Sequence, residues 1–163
     1  MSTSFHFLLP RRLYEQMIGQ ARGELPNECC GLLVAKSASC AALVTGLLGH
    51  ADFNAAAAAT HIITFKGCYP LVNAAASPIE YLSDARSMFD AARDMRQHDL
   101  EIAAVYHSHP TTAPIPSRTD RDRNYSEHIV NFIISLQGPE PQVRAWWLTA
   151  ETQREASWEL VDR

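Results

Sequence analysis

At 163 residues, with 47% hydrophobic and 20% charged side chains, the chain has the composition of one soluble globular domain, residues 1–163, long enough to bury a core. A net charge of -4 argues against a nucleic-acid surface and leaves a protein or peptide as the expected partner. Its N-terminal apolar stretch spans only a few residues, with no positive segment before it. This supports neither a signal peptide nor a membrane span, and the expected location is the cytoplasm. Cys29, Cys30, Cys40 and Cys68 have no Cys-x-x-Cys spacing, so they read as reduced core thiols rather than as a disulfide framework or a thiolate zinc site.

Phe5 to Leu9 reads as a short first strand. From Arg11 the apolar residues Leu13, Tyr14, Met17, Ile18, Ala21 and Leu25 recur at helical spacing, and Gly23 and Pro26 end that helix. Cys29 to Ala35 and Ala41 to Leu48 are two apolar runs separated by Lys36 to Ser39, which predicts a hairpin. Glu28 stands at the entrance of the first of these strands, where position alone suggests a solvated loop carboxylate. Five alanines follow Asn54, too few to hold a helix unaided, so the spacing predicts a helical turn or a mobile loop over 52–60. His61 to Phe65 reads as a strand, Lys66-Gly67 as a break, and Tyr69 to Asn73 as an extension of it. Ser83 is the expected N-cap of a second helix, with Ala85, Phe89, Ala92 and Met95 along one face.

Ile102 to Val105 is an apolar strand, and it delivers the residues with the most chemistry: His107-Ser108-His109-Pro110, then Pro116-Ser117-Arg118-Thr119-Asp120. Strand residues two apart project to one side, so His107 and His109 can converge on one ion while Ser108 points away. Pro110, Pro114 and Pro116 restrict the loop that returns Asp120 toward them. Two histidines and one carboxylate leave a fourth coordination position open, which is the pattern of a catalytic rather than a structural zinc. Ser117-x-x-Asp120 also resembles a capping box for a short polar helix over 121–127. Ile129 to Leu136, Val143 to Leu148 and Trp158 to Val161 complete the strands, the last at an edge. Adjacent Trp146 and Trp147 fall on opposite faces, one expected inside and the other over an edge or surface patch. Strands alternating with helices at these lengths indicate an α/β fold.

These residues, together with Leu25-Pro26-Asn27-Glu28-Cys29-Cys30-Gly31-Leu32-Leu33 and Pro70-Leu71-Val72-Asn73, resemble the JAMM motif and flanking sequence of the JAB1/MPN/Mov34 zinc metallopeptidases. The resemblance is to their short prokaryotic type, and it covers nearly the whole chain. It implies a single α/β domain, a mixed β-sheet packed between helices and similar to cytidine deaminases. It also implies Zn2+ held by His107, His109 and Asp120, with Glu28 as the base that activates a zinc-bound water and Ser117 as donor to the oxyanion. The implied activity is that of an isopeptidase or peptidase acting at the C-terminal glycine of a ubiquitin-like or sulfur-carrier β-grasp protein ending in Gly-Gly. An extended carrier tail could add a strand along the region Ala51 to Thr60 or the loop 111–116.

Three other readings compete. A non-catalytic MPN-type scaffold would bind a protein partner without chemistry, but such scaffolds usually lack part of the metal set, which is intact here. A DNA-repair relative with a similar histidine pair would carry an extra helical N-terminal region, and the negative charge here disfavours DNA. A zinc nucleoside deaminase needs His-x-Glu and a later Pro-Cys-x-x-Cys, and the sequence has neither. Nothing in the sequence fixes the oligomeric state.

Overall fold

The computed structural model describes residues 4–48 and 60–162. In chain order the elements are β1 (Ser4–Pro10), α1 (Arg11–Gly23), β2 (Cys30–Lys36), α2 (Ser37–Leu48), β3 (Thr60–Thr64), β4 (Gly67–Leu71) and α3 (Ala85–Gln97). There follow β5 (Leu100–His109), α4 (Arg118–Asp122), β6 (Val130–Ser135), β7 (Gln142–Leu148), β8 (Gln153–Glu155) and β9 (Ser157–Val161). The expected mixed α/β class holds, with the strands divided between two hydrogen-bonded sheets. One is three-stranded, in the order β3-β1-β9, and parallel throughout. The other is six-stranded, in the order β4-β2-β5-β6-β7-β8, and antiparallel except where β5 runs parallel to β6.

The two faces of the six-stranded sheet do different work. One meets the three-stranded sheet and α1 in the main core, where Phe7, Leu9, Leu13, Met17, Phe65, Tyr106 and Phe132 are shut off from solvent. On the other face Cys30, Leu32 and Val34 of β2 and Ile102 and Val105 of β5 pack against Met88, Ala91, Ala92 and Met95 of α3. Those α3 positions recur at three- and four-residue spacing, which sets which side of the helix is buried. His107 and His109 continue this second face at the C-terminal end of β5. Gly31 makes the central pairing possible. It lies opposite Tyr106 in the register of β2 with β5, and a Cβ at Gly31 would overlap the Tyr106 ring.

Several expectations are corrected. The chain from Ser37 to Leu48 is helix, not the second strand of a hairpin. A short apolar run of alanine, leucine and valine has no period that separates a strand from a buried helix, and here Cys40 and Leu43, three apart, both enter the main core. The segment from Gly67 does not extend β3 but crosses to the other sheet: Phe65 N–H donates to Leu8 O at 3.0 Å and Lys66 N–H to Val34 O at 2.8 Å. The N-cap of α3 is Asp84, whose carboxylate accepts from Ser87 N–H at 2.9 Å, while Ser83 bridges to Asn73. Of the expected stripe Ala92 and Met95 do pack inward, but Ala85 and Phe89, the latter 65% exposed, face solvent, and Met88 and Ala91 take their place. Helix α4 begins at Arg118, three residues before the expected start, since Ser117 caps it. The short exposed strand β8 has no counterpart among the expected elements. Trp146 and Trp147 do face opposite ways, but both are buried: Trp147 lies in the main core, and Trp146 packs with Ile133 and Leu148. The alanine run over 55–59 lies outside the described residues.

Candidate metal centre

Sheet pairing brings Glu28 to the histidines across 79 residues of sequence. Cys30 lies opposite His107 in the antiparallel register of β2 with β5. One step back along the chain, Cys29 and Ser108 exchange two hydrogen bonds, Cys29 N–H to Ser108 Oγ at 2.8 Å and Ser108 N–H to Cys29 O at 3.1 Å. Continuing that register sets Glu28 across from His109. Ser108 points away from the histidines, as strand alternation requires, and its hydroxyl pins the segment that carries Glu28. This role of Ser108 is invisible in the sequence, because it depends on which strand lies alongside.

Three side chains converge. His107 Nε2 and His109 Nε2 are 3.2 Å apart, Asp120 Oδ1 is 3.3 Å from His107 Nε2, and Asp120 Oδ2 is 3.4 Å from His109 Nε2. His109 Nδ1 faces the Ala113 carbonyl at 2.9 Å, and a carbonyl can only accept, so Nδ1 carries the proton. In the neutral ring, Nε2 of His109 therefore presents a lone pair to the cluster. Burial disfavours ionising the Asp120 carboxyl, but its contacts with His107 and His109 and the hydrogen bond from Ser117 outweigh it and hold the group well below the usual carboxylate range. Burial also opposes the charged form of His109, yet Asp120, the Ala113 carbonyl and the charge of Glu28 raise its pKa on balance.

This donor set fits a divalent cation of the zinc type. Donors on a tetrahedral ion with bonds of about 2.0–2.1 Å stand about 3.3 Å apart, close to the three separations here. The three ligand atoms lie within 4.8 Å of one another, and among the described residues no other group of this kind occurs.

Loop 110–117 is fixed at three successive carbonyls. Ser135 Oγ donates to Thr112 O at 2.6 Å, His109 Nδ1 to Ala113 O, and Trp146 Nε1 to Pro114 O at 2.9 Å. These bonds fix the return of Asp120. Of the two suggested docking edges, the region Ala51 to Thr60 falls almost wholly outside the described residues.

A family model described as prokaryotic homologs of the JAB domain matches residues 10–149. The chain belongs to that family. It is 28% identical over 138 residues to a desampylase of Haloferax volcanii, covering 84% of this chain and 81% of that protein. A desampylase of Pyrococcus furiosus is 29% identical over 77 residues, 47% of this chain, and the matched stretch spans about half, 53%, of that relative. A CysO-cysteine peptidase of Mycobacterium tuberculosis is 28% identical over 118 residues, 72% of this chain and 65% of that protein. Among solved structures, a protein from Desulfitobacterium hafniense superposes with a TM-score of 0.75 at 26% identity, covering 96% of this chain and 94% of that one.

Within this JAB fold Glu28 is not the solvated carboxylate its sequence position suggests. It is only 4% exposed, its Oε2 has no hydrogen-bond partner, and burial, opposed by nearby His109 and reinforced by Asp120 and Glu80, pushes its carboxyl up to about 7. Ser117 does form a capping box: its Oγ accepts from Asp120 N–H at 3.1 Å, and Asp120 Oδ2 accepts from Ser117 N–H at 2.7 Å. Capping uses the hydroxyl as an acceptor, so its own proton remains available to donate. Tyr81 is a site residue that the sequence did not disclose. Its ring stacks on His107, with centroids 4.8 Å apart and planes at 26°. A cleft of about 240 Å³ opens beside Asp120, with Tyr81, Leu82, Met88 and Val105 among its lining and the Glu80–Arg123 ion pair, 2.8 Å, at the same cleft.

Proposed function

We propose that this protein is a zinc-dependent peptidase or isopeptidase that hydrolyses the bond made by the C-terminal glycine of a ubiquitin-like or sulfur-carrier protein ending in Gly-Gly. The observation that carries the reading is the buried Glu28 carboxylate, its Oε2 without a hydrogen-bond partner, beside the His107, His109 and Asp120 cluster. A buried carboxylate next to three groups suited to a cation is placed to take a proton from water held there. Relatives named as desampylases and CysO-cysteine peptidases support the substrate class.

His107, His109 and Asp120 would hold the ion. Bound zinc lowers the pKa of water toward about 7 and draws charge from a carbonyl. Glu28 accepts the proton of the attacking water and passes it to the leaving amine. The Ser117 hydroxyl donates to the carbonyl oxygen as charge gathers on it, a kind of contact whose loss costs about 10²- to 10³-fold in rate. The cleft beside Asp120 would exclude water from one side of the scissile bond.

The test is mass spectrometry of a β-grasp carrier extended by a short peptide beyond its Gly-Gly, incubated with the zinc-loaded protein. Release of the peptide after the second glycine, abolished by chelation, is the expected result. A carrier that binds and stays intact would identify a scaffold and overturn the reading.

A further inference from the structure

Glu28 lies just before β2, so no strand of the ladder holds its own peptide groups. The segment 72–84, between β4 and α3, supplies that support. It doubles back on itself through Ala74 N–H to Leu82 O at 2.7 Å and Asp84 N–H to Val72 O at 2.9 Å. From it Ser77 O accepts the Glu28 N–H at 2.9 Å, and Asn73 Nδ2 donates to the Glu28 carbonyl at 3.0 Å. Asn73 is 8% exposed and uses its whole hydrogen-bonding capacity. Its Nδ2 also reaches Glu80 O at 3.2 Å, and its Oδ1 accepts from Ala75 N–H and Leu82 N–H, both at 3.0 Å. Only this orientation of the amide serves two carbonyls and two N–H groups at once. The same segment carries Tyr81, stacked on His107.

We infer that Asn73 is a positioning residue for Glu28, joining the backbone of the base and the ring packed on His107 into one rigid piece. The inference rests on the catalytic reading above. It adds a residue that touches none of the reacting atoms. Displacing a reacting group by about 1 Å can cost about 10²-fold in rate, so a clamp on the backbone of the base acts on turnover rather than on substrate binding.

Asn73→Asp keeps both acceptor bonds and loses both donor bonds, and Asn73→Ala loses all four. If the first does not fold, the second carries the measurement. The zinc-loaded full chain is assayed on the Gly-Gly carrier with its peptide extension, and hydrogen exchange is followed at the amides of Glu28, Ala75 and Leu82. In Asn73→Asp, kcat should fall at least about tenfold with KM within about twofold and one zinc retained. Exchange at Glu28 should quicken by about tenfold or more while Ala75 and Leu82 stay protected; in Asn73→Ala all three should quicken. Wild-type kcat with unchanged Glu28 exchange would overturn the inference. So would a loss of kcat that only tracks zinc loss, or a uniform rise in exchange across the protein. If the wild type itself fails to cleave the carrier, the catalytic reading falls, and exchange at Glu28 alone then decides whether Asn73 holds that backbone.

Discussion

Glu28 and Ser117 each combine a structural effect with a proposed chemical one, and the two can be separated. A free carboxyl titrates near 4.5, whereas Glu28 in the metal-free fold titrates near 7 because burial penalises its charge. Between those values the native state holds a proton that the unfolded chain has released, so stability falls as pH rises through this window and levels off above it. Glu28→Gln removes that loss. The metal-free variant should therefore match wild type near pH 4.5 and exceed it by about 3 kcal/mol at pH 8, at about 1.4 kcal/mol for each unit between the two pKa values. Urea titrations at the two pH values measure the difference, and equal gains at both would mean Glu28 is not held near 7. Ser117→Ala should cost about 1 kcal/mol of stability through the lost cap. It should also lower kcat at least about tenfold with zinc retained, because the Ser117 N–H to Asp120 bond is backbone and survives the substitution. Unchanged kcat on a cleavable carrier would leave Ser117 with the cap alone.

At the level of elements, the pairing of β2 with β5 determines whether a site exists, since it alone sets Cys29 against Ser108 and so Glu28 near His109. Gly31→Ala should test it. The new methyl would meet the Tyr106 ring, overpacking that typically costs about 1–3 kcal/mol, and thermal unfolding should report the drop. The histidine pair was legible in the sequence because strand alternation is strict, and Asp120 because a proline-bound loop had to return near it. The burial of Glu28 was not legible: a residue just ahead of a strand reads as solvated until the neighbouring strand and the 72–84 segment are known. The role proposed for it came from family resemblance rather than from its surroundings. The strand expected over 41–48 failed for a different reason, since small apolar residues carry no period and tertiary packing chose a helix. Segment 72–84 has almost no regular structure, so neither the Asn73 clamp nor the Tyr81 stack left a periodic signal.

Across the whole molecule, the six-stranded sheet separates a closed apolar core from a face that carries α3 and the candidate metal centre. No described helix is long and apolar enough to cross a membrane. An ion that binds the folded centre and not the unfolded chain stabilises the fold by mass action, by about 2.7 kcal/mol at a hundred times its dissociation constant. Zinc should therefore raise the melting temperature of the chelated protein and bind at one equivalent. His109→Ala should abolish both effects, and Cys30→Ser should leave them intact, because the cysteines lie outside the donor set. The most direct test of the account is the rate at which zinc-loaded Glu28→Gln hydrolyses the Gly-Gly carrier extension, with its zinc content measured on the same sample. Glutamine keeps the size of glutamate but cannot take the proton from water, so hydrolysis should fall by about 10²-fold or more with one zinc retained and carrier binding preserved. Wild-type hydrolysis in the zinc-loaded variant would contradict the account, and loss of zinc would make Glu28 a ligand rather than the base.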